Sequence, residues 1–441
     1  EKELMAQKER SRSASKLEFG DWTVINEEEN SEFVGYDQSS VETHIAKFRK
    51  VNLKGKQCYQ VVLLKTPFYA ESGGQVGDSG VLLVDEKSFV VFDTKKENGE
   101  IIHFLNEVLK NMSSAVIAKI DETKRHEISK NHSATHLLHY ALRSKLGTHV
   151  EQKGSLVNSD KLRFDFSHFE KVSAEDIKSI ETMANHLITQ NQKLNEWRAM
   201  PISEARELGA MALFGEKYGD KVRVVQFGDS IELCGGTHVQ NTHDISGVKI
   251  LSEGGVASGI RRIEAISGKA LEDFNAKRLD LLNELEQALG NPKDVIDTIE
   301  KLYLDLKAKS RKIDRLTELE KRNVSSEFEA NIQRFNSIRL VNHQINEIDM
   351  VVLKDIAHQM ASANDDMVVI TGGVVDEKPV IVLAISKPLL DRLQMSAGAI
   401  IKTIASEING GGGGQPFLAT AGGTKKEGLK RALQHAEEII R

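Results

Sequence analysis

The sequence predicts an α+β chain of several domains: a small β-barrel, an α/β region, a helical hairpin and a C-terminal α/β unit with a glycine-rich loop. Three observations carry that reading. Short apolar runs broken by turn residues fill the stretch from Glu32 to about Val116, which is strand patterning. Val295, Ile299, Leu302, Leu306, Ile313 and Leu316 keep the alternating four-three spacing of a long helix with one apolar stripe. A length of 441 residues exceeds one ordinary hydrophobic core, so the chain must divide.

Taken in order, the opening EKELMAQKERSRSASK reads as a charged helix through about Ser15 with no apolar stripe of its own, and 1–30 is assigned to a linker. The runs FVGY, THIAKFRKV, CYQVVLL, GVLLV, SFVVFD and IIHFL make 31–116 the barrel. Within it, PFYAESGGQVGD (67–78) is dense in glycine. It reads as a hairpin turn, with close approach to a backbone or phosphate as the alternative.

The region 117–268 follows, with helices expected at 121–146 and 173–194 and strands at 161–166, 222–227 and 248–253. The hairpin, 269–325, turns at Gly290-Asn291-Pro292, and its stripe is read as a packing seam or dimer contact. In 326–441, MVVITGG and PVIVLAIS are strands and 388–408 and 426–440 helices. Between those helices lies Asn409-Gly410-Gly411-Gly412-Gly413-Gly414-Gln415-Pro416, read either as a loop approached by a ligand backbone or as a flexible surface loop.

Composition narrows the function classes. A net charge of −6 disfavours bulk electrostatic coating of nucleic acid, so any RNA contact must be local. The basic clusters at Lys8–Lys16, Arg261-Arg262 and Lys307–Arg315 are equally well solvated helix faces. Two cysteines cannot build a disulfide framework, and Cys58 falls in a strand-like run as a core residue. With no apolar stretch long enough for a membrane span and no signal-peptide core, the expected location is the cytoplasm.

The chemistry lies in two strings. His132-Ser133-Ala134-Thr135-His136 places two imidazoles one helical turn apart on one face, and Cys234-Gly235-Gly236-Thr237-His238 adds a thiolate and a third imidazole. Two glycines let that second segment turn both side chains toward one ion. A lone HxxxH is usually two polar residues beside a core stripe, here Leu137, Leu138, Ala141, Leu142 and Leu146, and His139 competes as a partner for His136. The second string changes the balance, because the mixed nitrogen and sulfur set suits Zn²⁺. The α/β region is therefore expected to be a zinc-containing domain.

Ser133 stands where HExxH metalloproteases need glutamate, and no PCxxC deaminase string follows. Four bound ligands would nearly close the ion to water, giving a structural or substrate-positioning role. With one ligand loose, the ion could polarise an ester or water.

The strings PFYAESGGQVGD, HSATHLL, CGGTHV, GIRRIEA and the terminal GGGGGQP with AGG, in this order, resemble the alanyl-tRNA synthetase family along essentially the whole chain. The resemblance implies the editing and C-terminal part of such a synthetase. The N-terminal aminoacylation domain, with its ATP and Mg²⁺ sites, has no counterpart among these strings, and the opening segment is similar to the linker leaving it.

It implies hydrolysis of seryl- and glycyl-tRNA(Ala), because an alanine pocket discriminates weakly against glycine and serine. His132, His136, Cys234 and His238 are then the ligands of one zinc. Thr135 would recognise the serine hydroxyl, Gln152 would face substrate or water, and Arg261 would meet the tRNA end. Arg262, Gly411, Gly412, Gly413, Lys425, Lys426 and Lys430 are the further candidates for tRNA contact, and a homodimer through the C-terminal region is expected. The family loop commonly carries basic residues among its glycines, which this one lacks; Arg431 stands beside the lysines that would replace them.

Three rivals remain at this level. One is a freestanding trans-editing hydrolase. A second, a phosphoesterase, lacks its Asp-His-His string here. The third is a non-catalytic tRNA-binding and dimerisation module with structural zinc.

Overall fold

A computed structural model describes residues 18–27, 31–53, 55–109, 111–212, 218–345 and 348–441. The chain divides between Leu285 and Glu286 into two compact units. The helix expected through Ser15 lies outside the described residues. Glu18–Phe19 and Thr23–Val24, inside the stretch assigned to a linker, are short strands of the first sheet.

That sheet corrects the expected barrel. Its main path runs Glu18–Phe19, Ile45–Leu53, Lys56–Leu63, Glu100–Leu105, Lys87–Glu97, Gly80–Val84, Val116–Ile120 and Ser40–Thr43, and it does not close as a ladder. Ser40–Thr43 pairs with Val116–Ile120, while Ile45–Leu53, one residue later, pairs with Lys56–Leu63. Chain continuation through His44 therefore joins strands that stand far apart in the sheet order. Alternation decides which side is buried: Val116, Ala118 and Ile120 face inward, and Ile117 and Lys119 outward. Phe68, Leu63, Leu82, Val91 and Leu105 fill the core.

Helix α1, Glu122–Leu146, starts where Asp121 accepts a hydrogen bond from the Lys124 amide and stops at Gly147, whose φ is 114°. It is enclosed over its middle turns: Ile128, Leu137, Leu138, Ala141 and Leu142 are buried, and so are Asn131, His132, Ser133, Thr135, His136 and His139. Helix α2, Ala174–Thr189, is capped by Ser173 and buries Ile180, Ala184, Leu187 and Ile188. It ends earlier than the expected 194 because the chain turns back at Asn191, in left-handed backbone with φ 51°.

Both helices pack with a four-stranded antiparallel sheet of Gln152–Val157, Leu162–Ser167, Ile260–Ser267 and Val248–Ala257. A second sheet of Asn195–Pro201, Lys221–Phe227 and Ser230–Leu233 delivers the chain to Cys234.

Further on, Gly268–Ala288 and Val295–Ala330 are helical, separated by left-handed Gly290 and Asn291. The stripe at Ile299, Leu302, Leu306, Ile313 and Leu316 is exposed, and along Val295–Ala330 only Val324 and Phe328 are buried.

In the second unit a six-stranded sheet runs Ile332–Phe335, Ile338–Gln344, Met367–Val375, Lys378–Ile385, Leu418–Gly422 and Gly411–Gln415. Val368, Ile370, Ile381 and Leu383 face Ile401, Ile404 and Leu433. Val369, Val382 and Ala384 face Leu353 and Ile356. Burial on both faces explains why these strands read as unbroken apolar runs.

Two expectations here are corrected. The helix expected over 388–408 is divided by left-handed Gln394 into Lys387–Leu393, Ala397–Ile404 and a short 3-10 turn. The glycine-rich segment is no loop but an edge strand, paired from Gly411 with Gly422 to Gln415 with Leu418. Gly410, Gly412 and Gly414 are demanded by the packing of the chain itself, whereas Gly411 is not. A Cβ at Gly412 would stand 2.6 Å from Ile401 Cγ2 and from the Thr420 carbonyl oxygen.

Candidate metal centre

The two ligand strings converge. On α1 the His132 and His136 rings lie 5.3 Å apart between centroids, and His238 lies 4.5 and 4.6 Å from them. Cys234 Sγ is 3.5 Å from His132 Nε2 and 3.3 Å from His238 Nε2. One ligand atom from each of the four residues falls within 4.8 Å of the others. Tetrahedral zinc with ordinary bond lengths separates nitrogen and sulfur ligands by roughly 3.5 Å.

The donor chemistry fits as well. Burial holds the His132 imidazole down to about 3, helped by His136, and pushes His136 and His238 below their ordinary value. All three rings are therefore neutral lone-pair donors at pH 7, the form a metal requires.

Groups behind the ligands fix their orientation. Ser133 Oγ lies 3.0 Å from His238 Nδ1 and accepts from the Val239 amide at 3.2 Å. Glu232, two residues before Cys234, is buried with an oxygen 3.8 Å from His136 Nδ1 and another 3.1 Å from His139 Nδ1. Burial works to raise that carboxyl, but the His136 and His139 imidazoles outweigh it and hold it below its ordinary value.

The Arg223 guanidinium donates to the carbonyls of Cys234 and Gly236 at 2.8 Å each and pairs with Glu196 at 2.6 Å. Tyr36, from the first sheet region, donates to the Gly235 carbonyl at 2.6 Å, with Arg223 4.2 Å from its ring centre. Gln75 Oε1 sits 2.7 Å from His132 Nδ1.

Sequence reasoning missed all of these. Ser133 was legible only as the absence of glutamate, and the PFYAESGGQVGD turn hid Gln75 behind its glycines. The two glycines of CGGTH also differ from expectation. Neither has positive φ, and nothing lies within 4 Å of a Cβ at Gly235. At Gly236 a Cβ would sit 2.0 Å from His132 Cε1, so that glycine is required by close approach of the ring.

His132, His136 and Cys234 open on a cleft of about 450 Å³, which Gln152, Tyr69, Lys96, Lys221 and Glu232 also line. Of the other expected residues, Gln152 alone lines this cleft. Thr135 is buried, its hydroxyl donating to the Asn131 carbonyl at 2.8 Å. Arg261 pairs with Glu253 at 2.7 Å, and Arg262 with Asp165 at 2.7 and 2.8 Å. In the second unit Gly411 and Gly412 are exposed on the edge strand and Gly413 is half-buried. Lys425 and Lys430 are exposed, and Lys426 pairs with Glu377 at 2.5 Å.

Among the described residues no helix is long and apolar enough to cross a membrane.

Known proteins resemble this chain along its length. The family model described as threonyl and alanyl tRNA synthetase second additional domain matches residues 222–264, which include Cys234 and His238. That of tRNA synthetases class II (A) matches 1–124, and that of the DHHA1 domain 337–441.

The alanine–tRNA ligase of Christiangramia forsetii is 45% identical over 100% of this chain and 51% of its own length. Those of Cytophaga hutchinsonii and Bacteroides fragilis are 41% and 45% identical over 99% of the chain and 50% of theirs. The chain thus spans about half the length of these relatives. Matched along all of its own length, it belongs to the alanine–tRNA ligase family.

Proposed function

We propose that the cleft beside the four ligands hydrolyses the ester of seryl- and glycyl-tRNA(Ala), the editing reaction of this family, and that the resident ion is zinc. The observation that carries the reading is the meeting of His132, His136 and Cys234, three of the four clustered donors, with Gln152 on one cleft of about 450 Å³. Bound zinc would supply a fixed positive charge that orders or polarises polar groups of the substrate.

In the reaction the oxygen of a water bonds to the ester carbonyl carbon, the carbon–oxygen bond to the ribose breaks, and the ribose oxygen takes up a proton. Gln152 offers both a donor and an acceptor, so one amide can hold the carbonyl or the water in attacking geometry. Lys96 and Lys221 are exposed at the cleft and suit the phosphates of a tRNA end. The neighbouring ribose hydroxyl would assist proton transfer. With its hydroxyl proton committed to Asn131, Thr135 would act by shaping the helix wall. Arg261 and Arg262, held by carboxylates, are proposed to guide the tRNA from outside the cleft.

The basic residues Lys425, Lys426 and Lys430 and the edge strand at Gly411–Gly413 are proposed to contact tRNA elsewhere, with the apolar stripe at 295–316 serving a homodimer. On this reading the chain works with translation in the cytoplasm. ATP and Mg²⁺ would serve only the aminoacylation reaction of a full-length family member.

The experiment is single-turnover release of serine from seryl-tRNA(Ala). Gln152→Ala should slow it by at least about tenfold. An unchanged rate would remove the cleft from the chemistry.

A further inference from the structure

Gln75 lies outside both ligand strings, yet its side chain joins them. It is fully buried and comes from the loop between Phe68 and Asp78. Its Oε1 meets His132 Nδ1 at 2.7 Å and the Thr237 backbone amide at 2.9 Å, and its Nε2 donates to Thr237 Oγ1 at 3.0 Å. One side chain thus touches a ligand of the first string and the residue beside a ligand of the second.

The direction of these bonds follows from one group. A backbone N–H can only donate, so the Gln75 atom facing Thr237 N must be the carbonyl oxygen. That same oxygen faces His132 Nδ1 and can only accept from it. His132 must then carry its proton on Nδ1, which leaves the Nε2 lone pair directed toward Cys234 Sγ, 3.5 Å away. Ring proton and ligand lone pair are assigned together.

The loop that carries Gln75 is pinned at both ends. The Val76 amide donates to the Val157 carbonyl at 3.0 Å and the Val157 amide to the Gly74 carbonyl at 2.7 Å. Asp78 is held by Arg125 of α1 at 2.9 Å and accepts from the Tyr69 amide at 2.8 Å. A Cβ at Gly236 would stand 2.8 Å from Gln75 Oε1, so the ligand segment leaves this amide only the space a glycine allows.

We infer that Gln75 is a positioning residue of the metal centre: it locks His132 in the Nδ1–H tautomer and ties the HxxxH and CGGTH strings into one donor set before any ion binds. The inference rests on the reading of these four residues as a metal site. The first sheet region thereby becomes part of that site, because without its loop the His132 ring loses the acceptor that fixes its tautomer.

The test titrates the full chain, stripped of metal, with Co²⁺, and follows the thiolate-to-cobalt charge-transfer and d–d absorption. Gln75→Leu is expected to weaken cobalt binding by about 10- to 100-fold and to alter the d–d bands. Gln75→Glu, which keeps an acceptor in the same place, should bind within about threefold of the parent with its spectrum retained. Equal affinity and spectra for Gln75→Leu and the parent would overturn the inference alone, and so would equal losses in the leucine and glutamate variants. A parent chain that binds no cobalt would overturn the metal reading together with it.

Long-range ¹⁵N–¹H correlation of the histidines in the unsubstituted zinc-loaded chain supplies a readout that does not depend on a variant folding. His132 protonated at Nδ1 supports the assignment, and His132 protonated at Nε2 contradicts it.

Discussion

Glycine 236 shows how a single missing carbon can set a metal centre. Its neighbour Gly235 has open space around an added Cβ, whereas a Cβ on Gly236 would fall 2.0 Å from the His132 ring. Gly236→Ala is therefore expected to abolish stoichiometric zinc uptake, and Gly235→Ala to bind zinc within a factor of about three of the parent, since uncrowded surface changes cost little. Metal content after dialysis against a zinc buffer checks both. Retention of full zinc by Gly236→Ala would mean that the ring can move without harm.

At this scale the convergence of His132, His136, Cys234 and His238 was legible, because spacing and residue type announce it. Gln75, Ser133 and Arg223 were not. Gln75 and Ser133 act through partners distant in sequence, 57 residues away for Gln75 with His132 and 105 for Ser133 with His238, and Arg223 reaches across a strand pair to Cys234, 11 residues on; no local pattern encodes such pairs.

The elements repeat the contrast. Helix α1 was legible to within a residue because Asp121 caps it and its apolar positions recur with helical spacing. The run Gly410–Gly414 was not, since five glycines carry no side-chain alternation and read as a loop. Pairing with Leu418–Gly422 makes part of it a strand, and the packing of Ala397–Ile404 explains one glycine in particular. Gly412→Ala should lower the stability of the second unit by about 1–3 kcal/mol, as overpacking does. Gly411→Ala, with nothing within 4 Å, should stay within about 0.5 kcal/mol. Urea unfolding of the full chain followed by the second unit's transition distinguishes them, and equal effects would contradict the packing account. The open first sheet was misread for a related reason. Strand runs give the number of strands, but closure depends on which ends pair.

For the molecule as a whole, the sequence placed a candidate metal cluster between a strand-rich start and a C-terminal α/β unit. It did not show that the strand-rich region reaches the metal centre through Tyr36 and Gln75. Nor does a net charge of −6 favour general attraction for RNA, so the proposed function places discrimination at particular contacts near the cleft.

The central claim is that an ion held by His132, His136, Cys234 and His238 is needed for selective ester cleavage. The most direct measurement compares deacylation of seryl- and alanyl-tRNA(Ala) by the chain before chelation, after removal of metal, and after return of zinc, with circular dichroism recorded in each state. Rapid loss of serine but not alanine, abolished on chelation and restored by zinc with the fold unchanged throughout, is the predicted result. Serine loss that persists at the same rate in the metal-free chain would contradict the claim.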